Sequence, residues 1–133
     1  SIDVGARQEG RRLWYRGYYY VNIAEHKLAQ VLYREKIPFT PDIKFTLRTD
    51  EGKKRIYIAD FVFNTDAYIW KEGKHAELIH GIEAKAKSGD DYSKRALENQ
   101  RLLLEQYGIN IKLLSNDEIA RWHRRRTLPL SLF

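Results

Sequence analysis

Two runs of strict alternation constrain this chain more than any other feature: RIYIADFVF over 55–63 and AELIHGIEAKAK over 76–87. In the first, Ile56, Ile58, Asp60 and Val62 share one face, and Tyr57, Ala59, Phe61 and Phe63 share the other. That is the side-chain period of a β-strand, and it sets Asp60 on an otherwise apolar face. In the second, Ile79, Gly81, Glu83, Lys85 and Lys87 lie opposite Leu78, His80, Ile82, Ala84 and Ala86. If the two strands pair, an Asp, a Glu and a Lys meet at one end of a sheet. Charges guarding an edge strand are an ordinary explanation for Lys85 and Lys87. They explain Asp60 poorly, because an unpaired carboxylate on a central strand is costly to desolvate and calls for a metal ion or a cation.

At 133 residues the chain is read as a single domain over 1–133, with a basic, aromatic N-terminal segment and an arginine-rich C-terminal helix. Its 43% hydrophobic and 32% charged residues describe a globular protein, not a disordered one. No apolar run approaches membrane-spanning length and no signal-peptide pattern precedes the first charges, so an intracellular protein with no membrane partner is expected. Without cysteine there is no disulfide framework, thiolate metal site or cysteine nucleophile. The net charge of +6 gathers at the two ends. Arg7, Arg11, Arg12 and Arg16 are interleaved with Trp14, Tyr15, Tyr18, Tyr19 and Tyr20, and Arg121, Arg124, Arg125 and Arg126 follow the last acid, Glu118. Such ends suit a polyanion, with arginines on phosphates and aromatics either stacked on bases or folded into the core.

From about Tyr19 to Lys36 the pattern turns helical, with Val21, Ala24, Leu28, Val31 and Leu32 on one stripe. Glu25 falls on that same stripe, an anomaly that points to a site or to a cation on the rim. The helix should end at Ile37-Pro38. Phe39-Thr40-Pro41-Asp42 reads as a turn, and Ile43, Phe45 and Leu47 then alternate with Lys44, Thr46 and Arg48. With turn chemistry at Thr49–Gly52, this strand and 55–63 make an antiparallel hairpin. A short strand at Tyr68–Trp70 turning at Glu72-Gly73 fits the next segment. Beyond Ser88-Gly89-Asp90-Asp91 a second helix places Ala96, Leu97, Leu103, Leu104 and Tyr107 on its stripe, with Gln100 near the centre. A buried glutamine needs partners, either backbone or a phosphate or water in a site. Gly108 stops this helix, Ile109–Leu114 forms a strand, and Ser115–Glu118 is a capping box opening a last helix. Arginines at its end complement the helix dipole, an alternative to a nucleic-acid role that would be enough to account for them. His26, His75, His80 and His123 have no metal-ligand spacing.

Taken together, Glu25 on a helix, Asp60 on a hairpin strand, Glu83-Ala84-Lys85 on the next strand and Gln100 on a helix resemble the PD-(D/E)xK nuclease superfamily over roughly Tyr19 to Ile119. Within it the arrangement looks most like the small nuclease domains of heteromeric transposases and phages. Ala59 stands where members often have proline, a change confined to the backbone. The literal Pro41-Asp42 is set aside because Asp42 only opens the first hairpin strand. The resemblance implies an α/β, restriction-endonuclease-like core: a mixed central sheet of about four strands flanked by helices, in the order α-β-β-β-α-β-α. It implies Mg²⁺, or Mn²⁺ in its place, held by Asp60, Glu83, the Ala84 carbonyl and Glu25. Lys85 would orient or deprotonate the attacking water and Gln100 would steady it. The implied activity is DNA endonuclease cleavage leaving 5′-phosphate and 3′-hydroxyl ends. Lys87 and Lys94 would extend a phosphate-binding surface that includes Arg7, Arg11, Arg12, Arg16, Arg124 and Arg125. A homodimer or higher symmetric oligomer is expected, with the aromatic N-terminus and Leu128–Phe133 as interface candidates. A non-catalytic DNA-binding module of the same fold and an RNA-directed nuclease are the alternatives.

Overall fold

The computed structural model describes residues 13–65, 67–85, 90–125 and 127–133, residues 90–92 by their backbone alone. Arg7, Arg11, Arg12 and Lys87 therefore lie outside the described residues. The chain runs β1 (Trp14–Tyr15), β2 (Tyr18–Tyr19), α1 (Ile23–Arg34), β3 (Phe39–Arg48), β4 (Lys54–Phe63), β5 (Tyr68–Glu72) and β6 (His75–Ile79). It continues with β7 (Gly81–Lys85), α2 (Asp90–Tyr107), β8 (Ile111–Ser115), α3 (Asn116–Arg124) and β9 (Leu130–Leu132). The class is α/β. Four strands form a mixed sheet in the order β3-β4-β7-β8, antiparallel at β3/β4 and β4/β7 and parallel at β7/β8, with α2 as the crossover.

The expected seven-element order is thus the spine of a longer list. The aromatic N-terminus forms its own hairpin, pairing Trp14 with Tyr19. A second sheet, β6-β5-β9, is inserted between β4 and β7 and completed by the C-terminal tail. Leu130–Leu132, expected as an interface, pairs within the chain against Tyr68–Trp70, although Leu132 and Phe133 stay exposed.

Local chemistry sets the boundaries that differ from expectation. Helix α1 starts at Ile23, not near Tyr19, because the Asn22 side chain accepts the Glu25 N–H at 2.9 Å and caps it. Val21 consequently precedes the helix and is exposed. Strand β3 starts at Phe39, through the residues read as a turn, since Pro41 on an edge strand needs no donor. The 76–87 run is not one strand. It breaks at His80: β6 pairs with β5, and β7 joins the main sheet. Gly81 permits that crossing, because a Cβ there would stand 2.2 Å from the Phe61 carbonyl oxygen. On α2 the buried residues are Ala96, Leu102 and Leu103, while Leu97, Leu104 and Tyr107 are about half exposed. Tyr107 lies over the sheet edge, its hydroxyl donating to the Thr46 carbonyl at 2.7 Å.

The main sheet is covered on both sides. Leu28, Val31 and Leu32 of α1, with Ile119 and Trp122 of α3, pack on Phe61, Ile82 and Leu114. Leu102 and Leu103 of α2 pack on Leu47, Tyr57, Ala59 and Ile111. Each such fully buried aliphatic side chain contributes roughly 1.5–3 kcal/mol, which holds β7 and β8 to one register. Along β4 the covering helix changes between Ala59 and Phe61, so Asp60 sits at the seam between the two cores. Among the described residues no helix is long and apolar enough to cross a membrane.

Candidate metal centre

At that seam the β4–β7 ladder stops early. Phe61 pairs with Ile82 and Val62 with Gly81. The next position in register would set Asp60 opposite Glu83. Instead of a main-chain rung, the Ala84 N–H donates to Asp60 Oδ2 at 2.9 Å. The two acids therefore stand on the same side of neighbouring strands, and both line one cavity of about 560 Å³.

Two further carboxylates close on Asp60. Glu25, in the first turn of α1, is buried, and its Oε2 accepts from the Asn22 amide at 3.1 Å. The same asparagine that starts the helix thus aims the acid. Asp42, across β3 from Asp60, adopts a left-handed backbone (φ 55°) that aspartate tolerates better than most residues, and it accepts a hydrogen bond from the Tyr18 hydroxyl. Carboxylate oxygens of Glu25, Asp42 and Asp60 lie within 4.8 Å of one another. Glu83 stands outside that trio, its Oε1 held by the Tyr57 hydroxyl.

The electrostatics are those of crowded, desolvated acids. Burial, then the charges of Asp60 and Asp42, push Glu25 from its ordinary 4.5 up to about 8. Burial and then Asp60 push Glu83 up to about 7, against the pull of the Tyr57 hydroxyl. Burial raises Asp60 to about 6, opposed by the Ala84 N–H. Among the described residues no lysine or arginine forms an ion pair with any of these acids. Oxygen donors with uncompensated negative charge are the chemistry that hard divalent cations take. Asp60 is the shared member of both groupings, with Glu25 and Asp42 on one side and Glu83 on the other.

The remaining predicted residues divide. Ala84 lines the cavity. Lys85 follows Glu83 on the same face of β7, half-buried, and makes no hydrogen bond or ion pair among the described residues, but it does not line the cavity. Gln100 takes the backbone partner, one of its two expected alternatives. Its amide donates to the Ile111 carbonyl at 2.8 Å, tying α2 to β8, and it does not line the cavity either. Asn99, one position earlier, does. Arg16 lies over the Tyr33 ring at 4.7 Å, and Arg125 over Trp122 at 5.0 Å. Lys94 and Arg124 are exposed.

Sequence reasoning set Asp42 aside, and it missed Arg95, Asn99 and Asn116, which line the cavity. Asp42 was legible, since a hairpin turning at Thr49–Gly52 sets it across from Asp60. Arg95 carried no signal of its own on a helix rich in charges. Comparisons with protein-family models, with curated proteins and with solved structures found no match.

Proposed function

We propose that this protein is a metal-dependent nuclease of the PD-(D/E)xK type, hydrolysing phosphodiester bonds in DNA. One observation carries the reading: Glu25, Asp60 and Glu83 converge from a helix and two adjoining antiparallel strands on one cavity, and among the described residues no lysine or arginine forms an ion pair with any of them. The sheet order, antiparallel, antiparallel and then parallel across a helical crossover, supports the same resemblance. A bound Mg²⁺ or Mn²⁺ would polarise the scissile phosphate and lower the pKa of its water.

The chain's own residues prepare that chemistry. The Ala84 N–H orients Asp60, Asn22 orients Glu25 and Tyr57 orients Glu83, so the carboxylates are aimed before any ligand arrives. Lys85, on the same face of β7 as Glu83, would orient the attacking water with its terminal amino group. Arg95, on the cavity wall, serves to neutralise a phosphate oxygen. Water adds to phosphorus as the bond to the 3′-oxygen breaks; the proton lost by the water goes to solvent, and solvent protonates the leaving 3′-oxygen. With one centre per chain, cutting both strands calls for two copies on a duplex.

The test is incubation of supercoiled plasmid, branched DNA and single strands in parallel, with Mg²⁺, Mn²⁺ or EDTA. Cleavage with either metal and none in EDTA is expected. A protein inert on all three substrates under every metal overturns the proposal.

A further inference from the structure

Beyond Asp60 the hairpin leaves the body of the sheet. Its pairing with β7 involves only Phe61 and Val62, whereas β3 and β4 stay paired out to Arg48 and Lys54. The odd-numbered side of this ribbon is covered by α2 through Leu47, Tyr57 and Ala59. Among the described residues, neither core includes an even-numbered residue of the ribbon beyond Asp60. Across it the register pairs Arg48 with Lys54, Thr46 with Ile56 and Lys44 with Ile58, and then arrives at Asp42 and Asp60. Ile56 is 54% exposed and Ile58 45%, and Ile58 also lines the acid cavity. Lys44 and Lys54 make no ion pair among the described residues, and Arg48 is braced by the Gly52 carbonyl at 3.0 Å. Among the even-numbered residues of the two paired strands the acids are Asp42 and Asp60, both at the site, and Asp50 in the turn is paired with Arg101.

We infer that the even-numbered face of the β3–β4 ribbon is the track on which duplex DNA lies, delivering a phosphate to the acid cavity; the inference rests on the nuclease reading. Cations separated by small and aliphatic side chains match a polyanion whose sugars present apolar edges between phosphates. A second copy of this chain suits the face less well, because a two-fold contact sets the patch against itself and cations against cations. The form of nucleic acid follows from the ribbon. B-form DNA has a major groove wide enough for a two-stranded ribbon, whereas side chains do not enter the deep, narrow groove of A-form RNA. Distance sets the length of the contact. At about 3.4 Å per residue, Lys44 lies roughly 7 Å and Arg48 roughly 20 Å from Asp42. On a duplex rising about 3.4 Å per phosphate of one strand, the track spans roughly six base pairs to one side of the cut.

The experiment measures binding of a 24-base-pair duplex in EDTA, which needs no cleavage, for the full chain and for Lys44→Glu/Lys54→Glu. Lys71→Glu/Lys74→Glu, the same charge change on the exposed β5–β6 hairpin, is the control. The ribbon variant should bind at least tenfold more weakly than the control. Its salt slope should fall by about 1.8, two phosphate contacts at about 0.9 each. Duplex RNA and single-stranded DNA should bind weakly to both proteins. Equal affinity of the ribbon variant and the control overturns the inference, as does equal binding of duplex RNA by the wild type. A wild-type dimer that the ribbon variant dissociates without DNA also overturns it, by assigning the face to a second copy. Ribbon-dependent binding without cleavage under any metal defeats the nuclease reading alone. Cleavage with ribbon-independent binding defeats this inference alone.

Discussion

The Asp60 carboxylate accepts the Ala84 backbone N–H at 2.9 Å, in the position where the next main-chain rung between β4 and β7 belongs. A side chain has replaced a carbonyl as the acceptor, so the strands part without leaving a buried donor unpaired. Asp60, Glu83 and Ala84, the residues at this point of parting, all line the acid cavity. Placement of Asp60 is therefore a property of the fold itself and does not depend on a ligand.

Asparagine at 60 keeps an oxygen for that N–H but removes the charge. In the proposed nuclease Asp60→Asn should lower cleavage by about 10³-fold or more, the scale seen when one well-aimed electrostatic contact is lost. It should also weaken Mn²⁺ binding in calorimetry while DNA affinity in EDTA is retained. At pH 8 in EDTA the variant should unfold at higher temperature than wild type, since an acid raised from 3.8 to about 6 carries up to about 3 kcal/mol of desolvation and repulsion. Asp42→Asn should weaken Mn²⁺ binding less, leaving Glu25 and Asp60 in place. An Asp60→Asn protein that melts lower, or that cuts like wild type, would remove Asp60 from the site.

The pH dependence of stability has a definite sign. Glu25, Glu83 and Asp60 sit near about 8, 7 and 6 in the folded chain, above their ordinary 4.5, 4.5 and 3.8. Groups raised on folding hold an extra proton in the native state. Their stabilisation is complete below the ordinary values and is lost as pH climbs through the folded ones. In EDTA the melting temperature should therefore decline between about pH 4 and pH 8. With excess Mg²⁺ the decline should flatten or reverse, because the ion binds the ionised carboxylates and releases their protons. Thermal unfolding at five pH values in each condition checks this; parallel curves with and without metal would separate these acids from any ion.

How far the sequence disclosed this arrangement depends on the scale of the signal. Strict alternation around Asp60 and Glu83 put both acids on strands, because a period of two leaves little freedom; that they share a side follows from the pairing of β4 with β7. Glu25 on an apolar helical stripe was equally visible, though the start of the helix was not, since Asn22 was not recognised as its cap. The break at His80 left no mark on the alternation; it depends on how closely the Phe61 backbone approaches Gly81, a long-range fact. Gln100 and Asn99 are neighbours on one helix, and only the crossing of α2 over β8 decides which of them meets a carbonyl and which meets the cavity.

That crossing yields a paired prediction. Gln100→Ala should leave the Ile111 carbonyl without its donor and cost roughly 1–2 kcal/mol of stability, with kcat and KM close to wild type. Arg95→Ala should do the opposite, lowering kcat/KM by roughly 10–100-fold through loss of one charged phosphate contact, with little change in unfolding. Denaturant titration and steady-state cleavage of a labelled duplex separate the two. Loss of kcat in a stable Gln100→Ala protein would restore Gln100 to the site, and normal turnover in Arg95→Ala would remove Arg95 from it.

Gly81 joins the two sheets at the point where β4 comes closest. An added methyl group would meet the Phe61 carbonyl oxygen at 2.2 Å and Ile111 Cδ1 at 2.8 Å. The isoleucine can turn aside, but the carbonyl belongs to a strand held by its pairing with β3, so β4 itself must move. Gly81→Ala should cost on the order of 3 kcal/mol, the upper range for overpacking a core, because the obstacle is backbone. The displacement falls next to Asp60 and Glu83, so the damage should extend beyond stability. Mn²⁺ affinity should drop even under conditions where the variant is fully folded. Gly73→Ala, in the turn between β5 and β6, should cost only its local strain, about 1–2 kcal/mol, and leave the metal affinity as it was. Calorimetric titration of both folded variants decides between a strained junction that shapes the centre and one that merely connects two sheets: equal Mn²⁺ affinities would establish the latter.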